Sequence, residues 1–233
     1  MVRTSMSVPL IDLKKQYLSI KEELDSAICR VLSKEQEQIL LGTLMGDSGL
    51  HVGKTDRNAG LQVSHRAEDG EYLMWKYRSL RSTGLFHPPT FKVRGSGQRQ
   101  WILRSKHHSL FTSLYNLFYA GRKKVVPQEV LYRLGPLGLA VWYQDDGCLM
   151  VRKGRCHAYH PLIRLSTESF SQDEALMIRD WLISAWDVPF RVCPNPPGWR
   201  LALSIEKEVT KFLKLMGPHV VPCMKRKVRW CYV

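Results

Sequence analysis

The chain has 233 residues, and its 35 Lys and Arg against 21 Asp and Glu give a formal net charge of +14. Hydrophobic residues make up 44% and charged residues 24%. These proportions fit a globular chain with a sizeable core and exclude a low-complexity or largely disordered one. The positive excess points to a polyanionic partner, because phosphate contacts release counterions, with a generally basic soluble protein as the plainer alternative. No run of about 18 apolar residues is present, so no membrane partner is expected. The first residues carry no apolar signal-peptide stretch. The six cysteines form no Cys-x-x-Cys pair, and Cys156-His157 with His160 is only a weak hint of zinc. A reducing cytoplasm, bacterial or organellar, is the expected compartment.

In chain order, Leu13, Tyr17, Ile20, Leu24, Ile28 and Val31 recur at three- and four-residue steps and predict a helix over 8–32. Ser33 with Gln36 three residues on is a capping-box start for a second helix, ending at about Asp47. Two strands follow over 49–66 around Asp56–Gly60, then a helix over 71–82. A hairpin over 90–106 turns at Gly95-Ser96-Gly97, and a helix covers 107–119. The same order then returns: a helix over 136–146 with Pro136 in its first turn, strands over 148–166 around Gly154, and a helix over 170–186. A hairpin over 189–205 crosses Pro194–Gly198, and a last helix covers 206–216. The pattern helix-strand-strand-helix-strand-strand-helix thus occurs twice, with a repeat of about 99 residues, the step from Asp47 to Asp146. The expected division is an extension over 1–33, a first unit over 34–126 and a second over 127–233, with the boundary near Lys123–Pro127.

Each unit opens on a matched segment. The first is Leu40-Leu41-Gly42-Thr43-Leu44-Met45-Gly46-Asp47-Ser48, the second Leu139-Ala140-Val141-Trp142-Tyr143-Gln144-Asp145-Asp146-Gly147. Both are apolar, carry small residues and close on an acid. Small residues let helix backbones approach, so Gly42 and Gly46 are expected to face Gly138 and Ala140. A carboxylate at a helix C-terminus opposes the helix dipole, and two of them at one seam repel. A shared divalent cation, Mg²⁺ or Mn²⁺, would reverse both penalties and supply phosphodiester hydrolysis. An acid closing a helix with a side-chain turn is the structural alternative for either residue alone.

These two segments resemble the motifs of the LAGLIDADG homing endonucleases, in particular the single-chain group with two motifs, over residues 34–233. The resemblance implies an α/β (α+β) fold of two pseudo-symmetric αββαββα subdomains, with antiparallel saddle-shaped sheets and a two-helix interface. It implies Asp47 and Asp146 as metal-binding catalytic acids. It also implies site-specific cleavage of double-stranded DNA at a long asymmetric site, staggered breaks with 3′ overhangs, a monomer, and intron mobility as the biological outcome. Ser48 stands where the motif usually has Gly. Gly121–Pro127 and Pro222–Lys227 resemble the basic elements that follow each subdomain, which puts Lys124 and Lys227 in the roles of active-site lysines. Intron RNA is a second partner in the alternative reading as an RNA maturase. A non-cleaving DNA-binding protein of the same fold and a plain interaction protein are further rivals.

One face of each sheet is expected to meet DNA. The first-half candidates are Lys54, Arg57, Gln62, His65, Arg66, Lys92, Arg94, Gln98, Arg99, Gln100 and Arg104. The second-half candidates are Arg152, Lys153, Arg155, His157, Tyr159, Arg164, Arg191, Asn195, Arg200 and Lys207. Arg and Gln read base edges in the major groove, while Lys and further Arg position phosphates. His107-His108 is read as a helix start and not a metal pair, because adjacent helical residues face apart.

Residues 8–32 do not fit the endonuclease pattern. They resemble the opening of the DegT-type PLP-dependent sugar aminotransferases, of which only the first helix is present, so aminotransferase activity is not expected. A reading frame that begins in a host exon and runs into an intron accounts for the join. Cys29 opens no splicing block and the end Trp230–Val233 lacks a His-Asn pair, so an intein is not expected.

Overall fold

The computed structural model describes residues 31–53, 56–153 and 159–229, with the side chains of 152–159 not described. Residues 8–30 of the predicted helix, Lys54, Gly154, Arg155, His157 and Trp230–Val233 lie outside the described residues, as do the side chains of Arg152, Lys153 and Tyr159; Val31 and Leu32, at the end of that prediction, are in a turn and an irregular link to the next helix.

The first unit runs α1 (Lys34–Met45), β1 (Ser48–Val52), β2 (Ala59–Arg66), α2 (Gly70–Leu80), β3 (Thr90–Val93), β4 (Arg99–Arg104) and α3 (Ser109–Phe118). A two-residue strand pair, β5 (Tyr119–Ala120) with β6 (Lys123–Lys124), leads into a short α4 (Gln128–Arg133). The second unit runs α5 (Pro136–Asp146), β7 (Gly147–Lys153), β8 (Tyr159–Ser166), α6 (Gln172–Trp186), β9 (Arg191–Asn195), β10 (Gly198–Leu203) and α7 (Glu206–Met216). The two four-stranded antiparallel sheets have the orders β1-β2-β4-β3 and β7-β8-β10-β9. Each expected αββαββα unit is therefore present.

Local chemistry explains the element starts. Ser33 accepts from the Gln36 amide while the Gln36 side chain accepts from Ser33, the reciprocal cap expected from sequence. Ser171 and Glu174 repeat it at α6. His108 is the N-cap of α3, its Nδ1 accepting from the Leu110 amide. His107 turns instead to Asp56, 3.2 Å away.

Helices α1 and α5 are buried on all sides over Ile39–Met45 and Gly138–Asp145, as befits a seam between two sheet-backed units. They cross where they lack side chains. A Cβ on Gly42 would lie 2.3 Å from the Gly138 carbonyl oxygen and 2.9 Å from Val141 Cβ. One on Gly46 would lie 2.6 Å from the Asp145 side chain. The expected partnership of Gly42 with Gly138 is present. Val141 and Asp145, four residues apart on α5, take the place expected for Ala140, because they lie on the same helical ridge as Gly138.

The units also exchange ends. Val126, after β6, donates its amide to Glu174 of α6. The segment after α7 returns to the first unit, where Val220, Val221 and Met224 pack on Tyr72 of α2 and Arg226 pairs with Asp69.

Candidate active site

Both motif acids sit at the base of the α1–α5 seam. Asp146 is the last residue of α5, and Asp47 follows the end of α1 by one turn position. Asp47 keeps 43% of its side chain exposed, whereas Asp146 is half-buried. Burial first, then the neighbouring Asp47 and Asp145 carboxylates, push the Asp146 carboxyl up to about 8, against the pull of Lys124 and Lys227. Three acids therefore converge, and the repulsion is not cancelled by the two lysines.

Lys124 and Lys227 hold equivalent places. Lys124 Nζ donates to the carbonyls of Gly46 and Ser48, both at 3.0 Å, on either side of Asp47. Lys227 Nζ donates to the carbonyls of Gln144 and Asp145, just before Asp146. Each ammonium thus caps the negative end of a motif helix, which opposes the dipole penalty of the acid beside it. Burial is the main force on both lysines and lowers their pKa values, while the surrounding Asp carboxylates pull the other way. Buried Gln144 fixes the second lysine's segment by accepting from the Val221 amide at 2.8 Å, and Tyr143 Oη donates to the Lys227 carbonyl at 2.8 Å.

Beneath the acids lies a network that the sequence reading does not anticipate. Asp145, with a side chain of 0% exposure, receives Lys76 Nζ on both oxygens at 2.7 and 2.8 Å. Lys76 is itself 0% exposed and lies 4.6 Å from the Tyr72 ring centre. His65 bridges: its Nε2 is 3.5 Å from Lys76 Nζ and 3.6 Å from Asp145, and its Nδ1 is 3.6 Å from Asp47 Oδ2. Burial, then the Lys76 charge, lowers the His65 pKa to about 3, so its ring is neutral at ordinary pH. His65 is expected on the DNA face, and the structure corrects this: strand alternation puts it with Leu61 and Val63 on the helix side, 7% exposed. Two signals in the sequence point to the network. One is a lysine in the apolar stripe Tyr72, Leu73, Lys76, Leu80, all buried; the other is the doubled acid at 145–146.

Asp47, His65 and Asp145 each offer a ligand atom within 4.8 Å of the others. Asp145, however, is fully buried and paired through both oxygens with Lys76, so its charge is already matched and it is closed to a cation that must also reach substrate. The donors left for a cation are Asp47 and Asp146. A hard divalent ion suits such a pair, since it takes one or two carboxylates beside substrate oxygens and would offset the burial and repulsion that raise Asp146.

On the opposite sheet faces the register aligns basic residues. In the first sheet Gln62, Arg66, Arg104 and Lys92 share the outer face, with Arg104 Nε donating to Gln62 at 3.0 Å; Gln100 has the same parity but is buried, which corrects its expected role as an exposed contact. Arg99 falls on the other face with Trp101 and Leu103, and Arg66 is held by Asp69 at 2.8 Å. Arg57, Arg94 and Gln98 stand exposed in turns. In the second sheet Arg164, Arg191 and Arg200 line a groove of about 330 Å³. Asn195 holds Arg200 at 3.0 Å, while Lys207 lies exposed in the first turn of α7. The Nε atoms of Arg164 and Arg200 are buried and have no hydrogen-bond partner.

Two acid-ended helices crossing at glycines, each heading a sheet of the same strand order, define a pseudo-twofold protein of two αββαββα units. The chain belongs to the LAGLIDADG DNA endonuclease family, whose match covers residues 37–212. It is 30% identical over 206 residues to Protein RecA of Mycobacterium gastri, covering 85% of this chain and 48% of that protein. The chain thus spans about half the length of the first curated relatives it matches. DNA endonuclease I-ChuI of Chlamydomonas applanata is 26% identical over 215 residues, covering 84% of this chain and 95% of that one. Cytochrome b mRNA maturase bI2 of Debaryomyces hansenii is 24% identical, covering 84% and 74%. Among solved structures, homing endonuclease I-WcaI bound to its DNA recognition sequence superposes with a TM-score of 0.74 at 22% identity, covering 86% of this chain and 88% of that one. That likeness bears out the expected fold.

Proposed function

We propose that the chain is a site-specific homing endonuclease that hydrolyses double-stranded DNA with a divalent cation, Mg²⁺ or Mn²⁺, held by Asp47 and Asp146. The observation that carries this reading is the pairing at the seam: two acids at equivalent helix ends, each with a lysine anchored on the carbonyls beside it. The structures of I-WcaI and I-AabMI bound to DNA support DNA as the partner, and the net charge of +14 supports a phosphate-rich surface.

The chemistry divides among the residues as follows. The twin outer faces meet the grooves, with Gln62, Arg104, Arg164, Arg191 and Arg200 toward base edges and Lys92 and Arg66 toward phosphates. Arg57 and Arg94, exposed in turns, extend this basic surface. In this reading the two carboxylates of the seam meet the scissile phosphates through the cation they hold. When bound, the cation supplies Lewis-acid polarisation at the phosphate. Lys124 and Lys227 hold the helix ends, and through them the acids, and bring positive charge to where the cleaved ester oxygen becomes negative. Unlike halves in one chain favour a monomer on an asymmetric site, with 3′ overhangs and intron mobility as the outcome.

The test is a plasmid library bearing partly randomised copies of the intron-free host locus, incubated with Mg²⁺. Linearisation of a discrete subset, lost in Asp47→Asn and Asp146→Asn, is expected. Sequence-specific binding without any Mg²⁺-dependent break would leave a non-cleaving regulator. The maturase relative favours one second reading, assistance to RNA splicing by the same basic surface. It predicts tight binding of intron RNA that survives loss of both acids.

A further inference from the structure

The two halves differ beneath the acids, and the difference assigns a role to a residue that DNA contact does not explain. Ser48 opens β1 and pairs with Val63, while Gly147 opens β7 and pairs with Leu165. The matching positions on β2 and β8 are therefore 102 residues apart (63 to 165), and α2 and α6 begin at the same offset (70 to 172). His65 then corresponds to Thr167 and Lys76 to Ile178. Thr167 is buried and donates to the Trp199 carbonyl, and Ile178 is fully buried. Among the described residues, the second half has an ordinary closed floor where the first has three polar side chains.

A fully buried ammonium must place all three of its protons. Two of those on Lys76 go to Asp145. The third faces the Tyr72 ring and His65 Nε2. An ammonium has no lone pair, so toward Lys76 Nε2 can only accept, which puts the single ring proton of a neutral imidazole on Nδ1; the other tautomer would turn an Nε2–H to Asp145 at 3.6 Å and leave the third Lys76 proton only the Tyr72 ring. Nδ1 faces Asp47 Oδ2 at 3.6 Å, slightly beyond hydrogen-bond distance. Asp47 keeps 43% of its side chain exposed, so a side-chain rotation would be enough to close that gap.

Resting on the nuclease reading, we propose that His65 is a positioning residue for Asp47: a buried imidazole, set by Lys76 and Asp145, whose Nδ1–H holds one Asp47 oxygen and leaves the other to the cation. The chain Asp145–Lys76–His65–Asp47 carries this orientation from the second motif to the first. Asp146 has no equivalent among the described residues. The two carboxylates of the seam are thus unequal partners, one held and one dependent on its ligand. Donor partners of ligating groups typically alter metal affinity about 10-fold or more when removed.

The experiment compares wild type, His65→Asn and His65→Leu by Ca²⁺ calorimetry on the full chain, with proton-detected ¹⁵N spectra of the histidine rings. Asn sets a side-chain amide near the Nδ1 position, whereas Leu fills space with no donor. The expected result is Ca²⁺ affinity reduced about 10-fold in His65→Leu and largely recovered in His65→Asn. Wild type should show one histidine, absent from both variants, protonated at Nδ1. If His65→Leu misfolds, the wild-type ring spectrum still decides. Equal affinity in all three proteins, or a His65 ring protonated at Nε2, would overturn the proposal. A wild-type chain that binds no Ca²⁺ or Mn²⁺ would instead defeat the nuclease reading itself.

Discussion

The two halves of the chain share strand order, helix order and lysine placement, yet they support their motif acids differently. Under Asp47 lies the polar group of Lys76, His65 and Asp145; the pseudo-twofold partners of these residues are Ile178 and Thr167 in the second half and Gly46 in the first. The exchange at 46 and 145 is informative. Gly46 has no side chain, and its missing Cβ leaves the space that Asp145 occupies. A glycine in one motif and an acid in the other are therefore parts of one solution: a close helix crossing with a single charged strut beneath it. A repeat duplicates a fold, but the seam between its copies has only one floor to build.

The largest effect expected from breaking that comparison is chemical. If Asp47 and Asp146 hold the cation as proposed, Asp47→Asn or Asp146→Asn should lower cleavage rates by about 10³-fold or more, equivalent to several kcal/mol. Gel-resolved nicking of each strand measures this. Next comes the buried pair. Lys76→Met removes the ammonium from buried Asp145 and should cost about 3–5 kcal/mol in denaturant unfolding. Copying the second half's floor with Lys76→Ile and Asp145→Ala together should recover at least half of that loss, because no lone charge remains. A double variant less stable than Lys76→Met would contradict the pairing.

How far such features are legible in sequence depends on how local they are. The acids, the capping box at Ser33 and Gln36, and the duplicated strand order were readable because each is written in a short stretch or in the repeat. Helix α4 escaped because six residues are too few to show a period. His65 shows how alternation misleads: it is flanked by Ser64 and Arg66 and looks like part of a basic strand, yet it shares parity with Leu61 and Val63, and a one-residue shift reverses the face. The Lys76–Asp145 contact joins residues 69 apart, which no local pattern encodes. Nor does sequence show that Arg66 is held by Asp69 or that Arg99 turns from the outer face.

Two smaller effects sharpen the picture of the seam. Gly42→Ala should destabilise the chain by about 1–3 kcal/mol through overpacking, since its Cβ meets backbone at the crossing. Gly217→Ala, where a Cβ meets nothing within 4 Å, should instead be neutral or stabilise by about 0.4–1 kcal/mol. The pH dependence follows from Asp146. Its folded pKa of about 8 exceeds that of an unfolded Asp, about 3.9, so the folded state binds the extra proton. Without a divalent ion, this group makes stability fall as pH rises through that window. A bound cation takes the proton's place. The rise in melting temperature on adding Mg²⁺ should therefore be larger at pH 8 than at pH 6, as scanning calorimetry would show.

The shared seam is tested most directly by Mn²⁺ binding, followed by electron paramagnetic resonance, in wild type, Asp47→Asn and Asp146→Asn. If both carboxylates serve one centre, each single variant should lose most of the binding, and the double variant should lose little more. Binding undiminished in either single variant would contradict a metal centre built jointly by the two motif helices.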